Sequence, residues 1–108
     1  MTRLDKIRAQ RSLERRNALA KLCEDIAQRA AREGVSLRVF GSFARGRVTP
    51  DSDVDILVTG GYTLATRFRI MGWMQNMGAE RDLPVDVAFL DMAPHLEAGS
   101  VHLQHDGW

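Results

Sequence analysis

A chain of 108 residues, 44% hydrophobic and 27% charged, is sized for one domain with a modest core, which leaves room for a partner surface. No apolar run approaches 18 residues, the N-terminus is charged, and the single Cys23 has no internal disulfide partner, so neither a membrane span, a secretory signal nor an oxidised scaffold is expected, and the cytoplasm is the expected compartment. The net charge of +1 conceals an asymmetry: residues 1–50 hold 12 Lys and Arg against 5 Asp and Glu, about +7, while residues 51–108 hold 3 against 9, about −6. A basic half of this kind serves nucleic acid, a nucleoside triphosphate or an acidic protein.

Residues 3–33 contain neither Pro nor Gly and are rich in helix formers. An apolar stripe is firm from Leu19 through Leu22, Cys23, Ile26 and Ala27 to Ala30, and thin between Arg8 and Asn17. The helix is expected to bend or break near Ser12 or Asn17, or to keep a peripheral first half that packs on another chain. Gly34 is placed to end it in a left-handed conformation. Val35–Phe40 alternates as a first strand, with Val35, Leu37 and Val39 on one face. Gly41-Ser42 permits a sharp strand-to-helix turn in which Ser42 caps Phe43–Gly46, leaving backbone N–H groups for an anion.

Val48–Ser52 reads as a loop and Val54–Val58 as the second strand. With period two, Asp53 and Asp55 share a face. Tyr62–Met77 predicts a helix ended by Gly78, with Leu64, Ala65, Phe68, Met71, Gly72 and Gln75 along one stripe and Ile70, Trp73, Met74 and Met77 widening it. So broad an apolar arc would leave part of the helix for a homo- or heterodimer contact. Pro84–Leu90 is the third strand; Asp86 alternates with Val85, Val87 and Phe89. A lone acid among apolar strand residues is explained by an edge position, by a salt bridge, or by membership of the Asp53–Asp55 cluster. Met92–Ala98 predicts a short helix opened by Asp91 and Pro94. Residues 99–108 lack periodicity and read as an irregular tail, and residues 1–108 as one domain.

Hard carboxylate oxygens fixed side by side beside a glycine-containing turn suggest a Mg2+ and phosphate site. His95, His102 and His105 with Cys23 make no zinc pattern, no P-loop or dinucleotide fingerprint is present, and Ser42 lacks a histidine base. The joined motif, Gly41-Ser42 followed after ten residues by Asp53-Val54-Asp55, resembles the signature of the nucleotidyltransferase superfamily that includes DNA polymerase beta and kanamycin nucleotidyltransferase. The Gly-Ser-Phe-Ala-Arg-Gly loop, the Asp-Ser-Asp-Val-Asp run and the short chain are similar to the minimal nucleotidyltransferases that act as antitoxins to HEPN-domain proteins.

The resemblance covers roughly residues 19–98 and implies an α/β (α+β) nucleotidyltransferase fold, a small mixed β-sheet packed with helices. It implies Asp53, Asp55 and Asp86 as metal ligands and catalytic carboxylates for Mg2+, in a two-ion scheme, with ATP as substrate. It assigns Gly41 and Ser42 to the triphosphate, and Arg45 and Arg47 are nearby cations for the same charge. The implied reaction transfers AMP to a tyrosine hydroxyl of a HEPN toxin, since the chain has little room for an acceptor domain of its own. Two other readings remain: a catalytically silent antitoxin acting by contact, and a nucleic-acid-binding module built on the basic helix.

Overall fold

The computed structural model describes residues 2–102. Thr2 opens α1 (Arg3–Glu33) with a capping box: its hydroxyl accepts from the Asp5 N–H and the Asp5 carboxylate accepts from the Thr2 N–H, each at 3.1 Å. These bonds satisfy donors that every helix start leaves orphaned. The helix runs unbroken through Ser12 and Asn17, because neither residue removes a backbone donor as Pro would. Gly34 ends it at φ 73°, as its lack of a Cβ allows. Only the second half is embedded, through Leu19, Leu22, Cys23, Ile26, Ala27 and Ala30. The first half projects, leaving Leu4 and Leu13 largely exposed, and stretches the molecule to 51 × 28 × 23 Å.

The chain then forms β1 (Ser36–Phe40), a short helical turn α2 (Gly41–Ala44), β2 (Val54–Gly60), α3 (Arg67–Ala79), β3 (Val85–Phe89), a 3-10 turn at Pro94–Leu96 and β4 (Val101–His102). The sheet order is β3-β2-β1-β4, with β2 antiparallel to β1 and parallel to β3. The parallel pair requires a crossover, which α3 supplies. Leu37 and Val39 of β1, Val54, Ile56 and Val58 of β2, and Ile70, Trp73 and Met74 of α3 join the α1 stripe in one buried cluster.

Several sequence expectations are corrected. The third helix begins at Arg67 rather than Tyr62. Before it, Thr63 and Thr66 bond each other's backbone N–H groups through their hydroxyls, and such bonds compete with helix formation. Its buried positions are Arg67, Ile70, Trp73, Met74 and Gly78, so the expected stripe of Leu64, Ala65, Phe68 and Gln75 is the exposed side, with Met71 and Gly72 only half-buried. Gly78 lies inside the helix, where a Cβ would strike the Leu83 carbonyl and the Val85 side chain; it permits close packing and does not end the helix. Pro94–Leu96 replaces the expected Met92–Ala98 helix, because the Asp91 carboxylate is engaged by Tyr62 and Arg67 instead of capping. Residues 101–102, expected within an irregular tail, pair with Arg38 and Val39 of β1 as β4. Residues 103–108, including His105, lie outside the described residues.

Candidate active site

The sheet's register builds the site. Phe40, the last residue of β1, pairs with Asp55 of β2, which pairs with Asp86 of β3. Antiparallel pairing on one side and parallel pairing on the other bring the end of β1 and the starts of β2 and β3 to one edge of the fold. Period-two alternation places Asp53 on the Asp55 face. Asp53, Asp55 and Asp86 each present a carboxylate oxygen, and these oxygens lie within 4.8 Å of one another. Asp53 and Asp55 are half-buried and Asp86 is exposed on the edge strand. Asp86 therefore joins the cluster without the cost of a buried charge that marked it in the sequence; the edge position and cluster membership hold together.

Partial burial, then the negative charges of Asp53 and Asp86 and a hydrogen bond with Asp86, push the Asp55 carboxyl up to about 6 from 3.8. Like charges at this range cannot all ionise cheaply, so without a compensating cation Asp55 holds its proton to a higher pH than an ordinary carboxyl does. The donor set is three hard oxygens, which suits a divalent ion such as Mg2+ and disfavours a soft metal.

Gly41 follows Phe40 directly and opens α2 at φ 79°. A Cβ there would fall on Asp55 Oδ2, so the glycine serves both the left-handed turn and the space the carboxylate occupies. Ser42 is half-buried within the turn, and Phe40 rather than Ser42 occupies the N-cap position, with no side-chain cap bond. The expected Ser42 cap is therefore corrected: the strand runs straight into the helical turn, and the Ser42 carbonyl accepts from Arg47 N–H at 2.8 Å. Arg45 and Arg47 are exposed, and among the described residues no ion pair joins either to the carboxylates. Cys23 is buried in α1 with its thiol raised to about 12 by desolvation.

The loop leading into Asp53 is more ordered than its composition suggests. Ser52 is buried; its hydroxyl accepts from the Thr49 N–H at 2.7 Å, and its carbonyl accepts from Arg15 Nε at 2.8 Å. The sequence signal for Arg15 was its place one turn before Leu19 on the helix's apolar stripe, where a cation is out of pattern.

A mixed sheet carrying three converging carboxylates beside a glycine turn defines a protein of the nucleotidyltransferase class. A crystal structure from Sulfolobus solfataricus described as a "putative nucleotidyltransferase" shares the fold, with a TM-score of 0.60, 21% sequence identity and 85% of each chain covered. No curated protein matches. Residues 19–100 match the nucleotidyltransferase domain model, and the chain belongs to that family.

Proposed function

We propose that this chain is a Mg2+-dependent nucleotidyltransferase that moves AMP from ATP to a tyrosine hydroxyl of a HEPN-domain partner and thereby silences it as an antitoxin. The observation that carries the reading is the convergence of Asp53, Asp55 and Asp86 on one point against the Gly41 turn. The three carboxylates would hold the metal, in a two-ion arrangement. Bound there, the ions would neutralise charge on the attacking and leaving oxygens of an in-line displacement. Gly41 leaves room for the Asp55 carboxylate against the turn, and Ser42 stands next in the turn to fix the triphosphate by position rather than by chemistry. Asp86, exposed on the edge strand, is reachable by an incoming hydroxyl and would accept its proton. The acceptor oxygen then bonds to the α-phosphorus, the bond from that phosphorus to the bridging oxygen breaks, and pyrophosphate leaves. Arg45 and Arg47 would offset triphosphate charge from the exposed end of the turn.

An external acceptor is supported by the surface. The projecting half of α1 and the exposed Leu64 and Phe68 give apolar area to a partner, whether a HEPN protein or a second copy. An open groove of about 460 Å³ runs between that half of α1 and Pro50-Asp51, lined also by Leu4, Ile7, Arg8 and Arg11, beside the loop that enters the site. The compartment we propose is the cytoplasm, where ATP and Mg2+ are supplied.

The test incubates the purified chain with a HEPN-type candidate partner, ATP labelled at the α-phosphate, and Mg2+. Label should pass to the partner, and none should pass when Asp53→Ala and Asp55→Ala are combined. A partner that stays unlabelled yet is still neutralised would make contact, not catalysis, the mode of action.

A further inference from the structure

The geometry points to Arg15 as a positioning residue: from α1 it holds the carbonyl of Ser52 and so fixes the backbone from which Asp53 reaches the carboxylate cluster. This role rests on the metal-site reading above. Leu19, Leu22 and Ile26 form the buried stripe of α1, and position 15 continues that face one turn earlier. A leucine would extend the stripe. Arg15 instead turns its half-buried guanidinium across 37 positions of sequence to Ser52, with Nε 2.8 Å from the carbonyl oxygen.

Ser52 is 8% exposed, so its carbonyl has little access to water, and a buried acceptor without a donor is costly. The same residue is locked from within its own turn. Its N–H donates to the Thr49 carbonyl at 3.1 Å and its hydroxyl accepts from the Thr49 N–H at 2.7 Å. On the other side of Asp53, the Val54 N–H donates to the Pro84 carbonyl at 3.2 Å. Asp53 therefore stands between two anchored neighbours. One is tied to α1, the other to the segment that leads into Asp86.

This restraint answers a specific problem. The Asp53 carboxylate must stay beside two like charges, and its backbone has two soft dihedrals through which it could swing away. Anchoring the peptide groups on both sides removes that freedom before any cation arrives. Arginine suits the task because Nε belongs to a rigid planar fork that loses little freedom in forming the bond.

The test is Mn2+ titration by calorimetry on the purified chain, with thermal melts in EDTA alongside. Arg15→Ala should weaken Mn2+ binding about tenfold, the scale seen when a support of a metal ligand is removed. Arg15→Lys should recover most of that affinity through a single donor, and Arg16→Ala, at an exposed neighbour, should bind as the native chain does. If Arg15→Ala lowers the melting temperature in EDTA yet binds Mn2+ within twofold of the native chain, Arg15 only packs the helix and the proposal is overturned. Asp53→Asn separates this from the reading beneath it: full Mn2+ affinity in that variant would remove the metal site itself. Should Arg15→Ala fail to fold, Arg15→Met keeps the apolar stem on α1 and removes only the donor to the Ser52 carbonyl. A drop in Mn2+ affinity there supports the positioning role, and unchanged affinity overturns it.

Discussion

Asp55→Asn should stabilise the metal-free protein at neutral pH while abolishing its response to Mg2+. In the folded chain, desolvation first and then Asp53 and Asp86 raise the Asp55 carboxyl to about 6 from 3.8. A raised acid contributes stability that is fully present below 3.8 and is lost as pH rises through about 6. Taken at face value the displacement corresponds to about 3 kcal/mol, but the carboxylate is only half-buried, and solvent screening reduces this to about 1 kcal/mol. An asparagine carries no such charge and can still donate to Asp86. In EDTA at pH 8 the variant should melt roughly 4 °C above the native chain, since about 1 kcal/mol moves a domain of this size by that much. At pH 4 the difference should vanish. Adding Mg2+ should raise the native melting temperature by mass action and leave the variant unmoved. Thermal melts at the two pH values, with EDTA and with Mg2+, give all four comparisons. A variant that melts below the native chain in EDTA at pH 8 would refute the repulsion argument, because the three carboxylates would then be stabilising one another without a cation.

Gly41→Ala should lose the Mg2+-dependent shift in melting temperature, since its Cβ displaces Asp55 Oδ2, and should cost about 1–3 kcal/mol in EDTA through the left-handed φ; an alanine variant with a native Mg2+ response would contradict the close approach. Arg67→Ala should cost about 2 kcal/mol in urea unfolding, because the buried guanidinium is sandwiched with the Tyr62 and Phe89 rings and paired with Asp91 at 2.7 Å. Mn2+ affinity should be unchanged in the fraction that stays folded, as the contact lies at the far ends of β2 and β3. The Cys23 thiol, raised to about 12 by burial, should resist alkylation at pH 8 and react at once in urea, where the thiolate becomes available; fast labelling of the native chain would show that α1 opens locally.

The parts of the fold legible in the sequence are those with one clear periodicity. Leu19 to Ala30 repeats at helical spacing against polar neighbours, and it is the buried face of α1. Val35, Leu37 and Val39 alternate, and all three are buried. The third helix fails on the same criterion. Leu64, Phe68, Ile70, Met71, Trp73, Met74 and Met77 surround it, so no spacing rule selects a face, and packing on β3 and α1 made the choice. The β4 pairing was out of reach because two residues carry no period; its anchor is the Arg38 guanidinium on the Ser100 carbonyl at 2.7 Å, a contact between distant segments. At the site, Gly41, Asp53 and Asp55 are close in sequence and were legible together. Asp86 was singled out as an acid in an apolar strand, and it proved exposed on an edge. What brings it to the cluster is the parallel register with Asp55, which sequence spacing does not encode. The Ser42 cap failed because the helical turn begins two residues earlier than expected, at Gly41 rather than Phe43.

The topology also accounts for where a costly site can be tolerated. Three acids at one end of the strands work against folding in the metal-free chain, as the raised Asp55 carboxyl records. The opposite end of the strands carries the compensation. There the Tyr62 hydroxyl donates to Asp91 at 2.7 Å, Arg67 pairs with the same carboxylate, and the Tyr62 and Phe89 rings meet edge to face at 5.0 Å. These contacts tie the exit of β2 to the exit of β3, the two strands whose entrances bear Asp55 and Asp86. With the exits pinned, the register between the strands cannot slip to relieve the repulsion at their entrances, because a one-residue slip would turn every side chain of β3 to the other face. The carboxylates are thus held together by hydrophobic and ionic contacts a full strand length away, so the sheet imposes the arrangement that the proposed cation would complete.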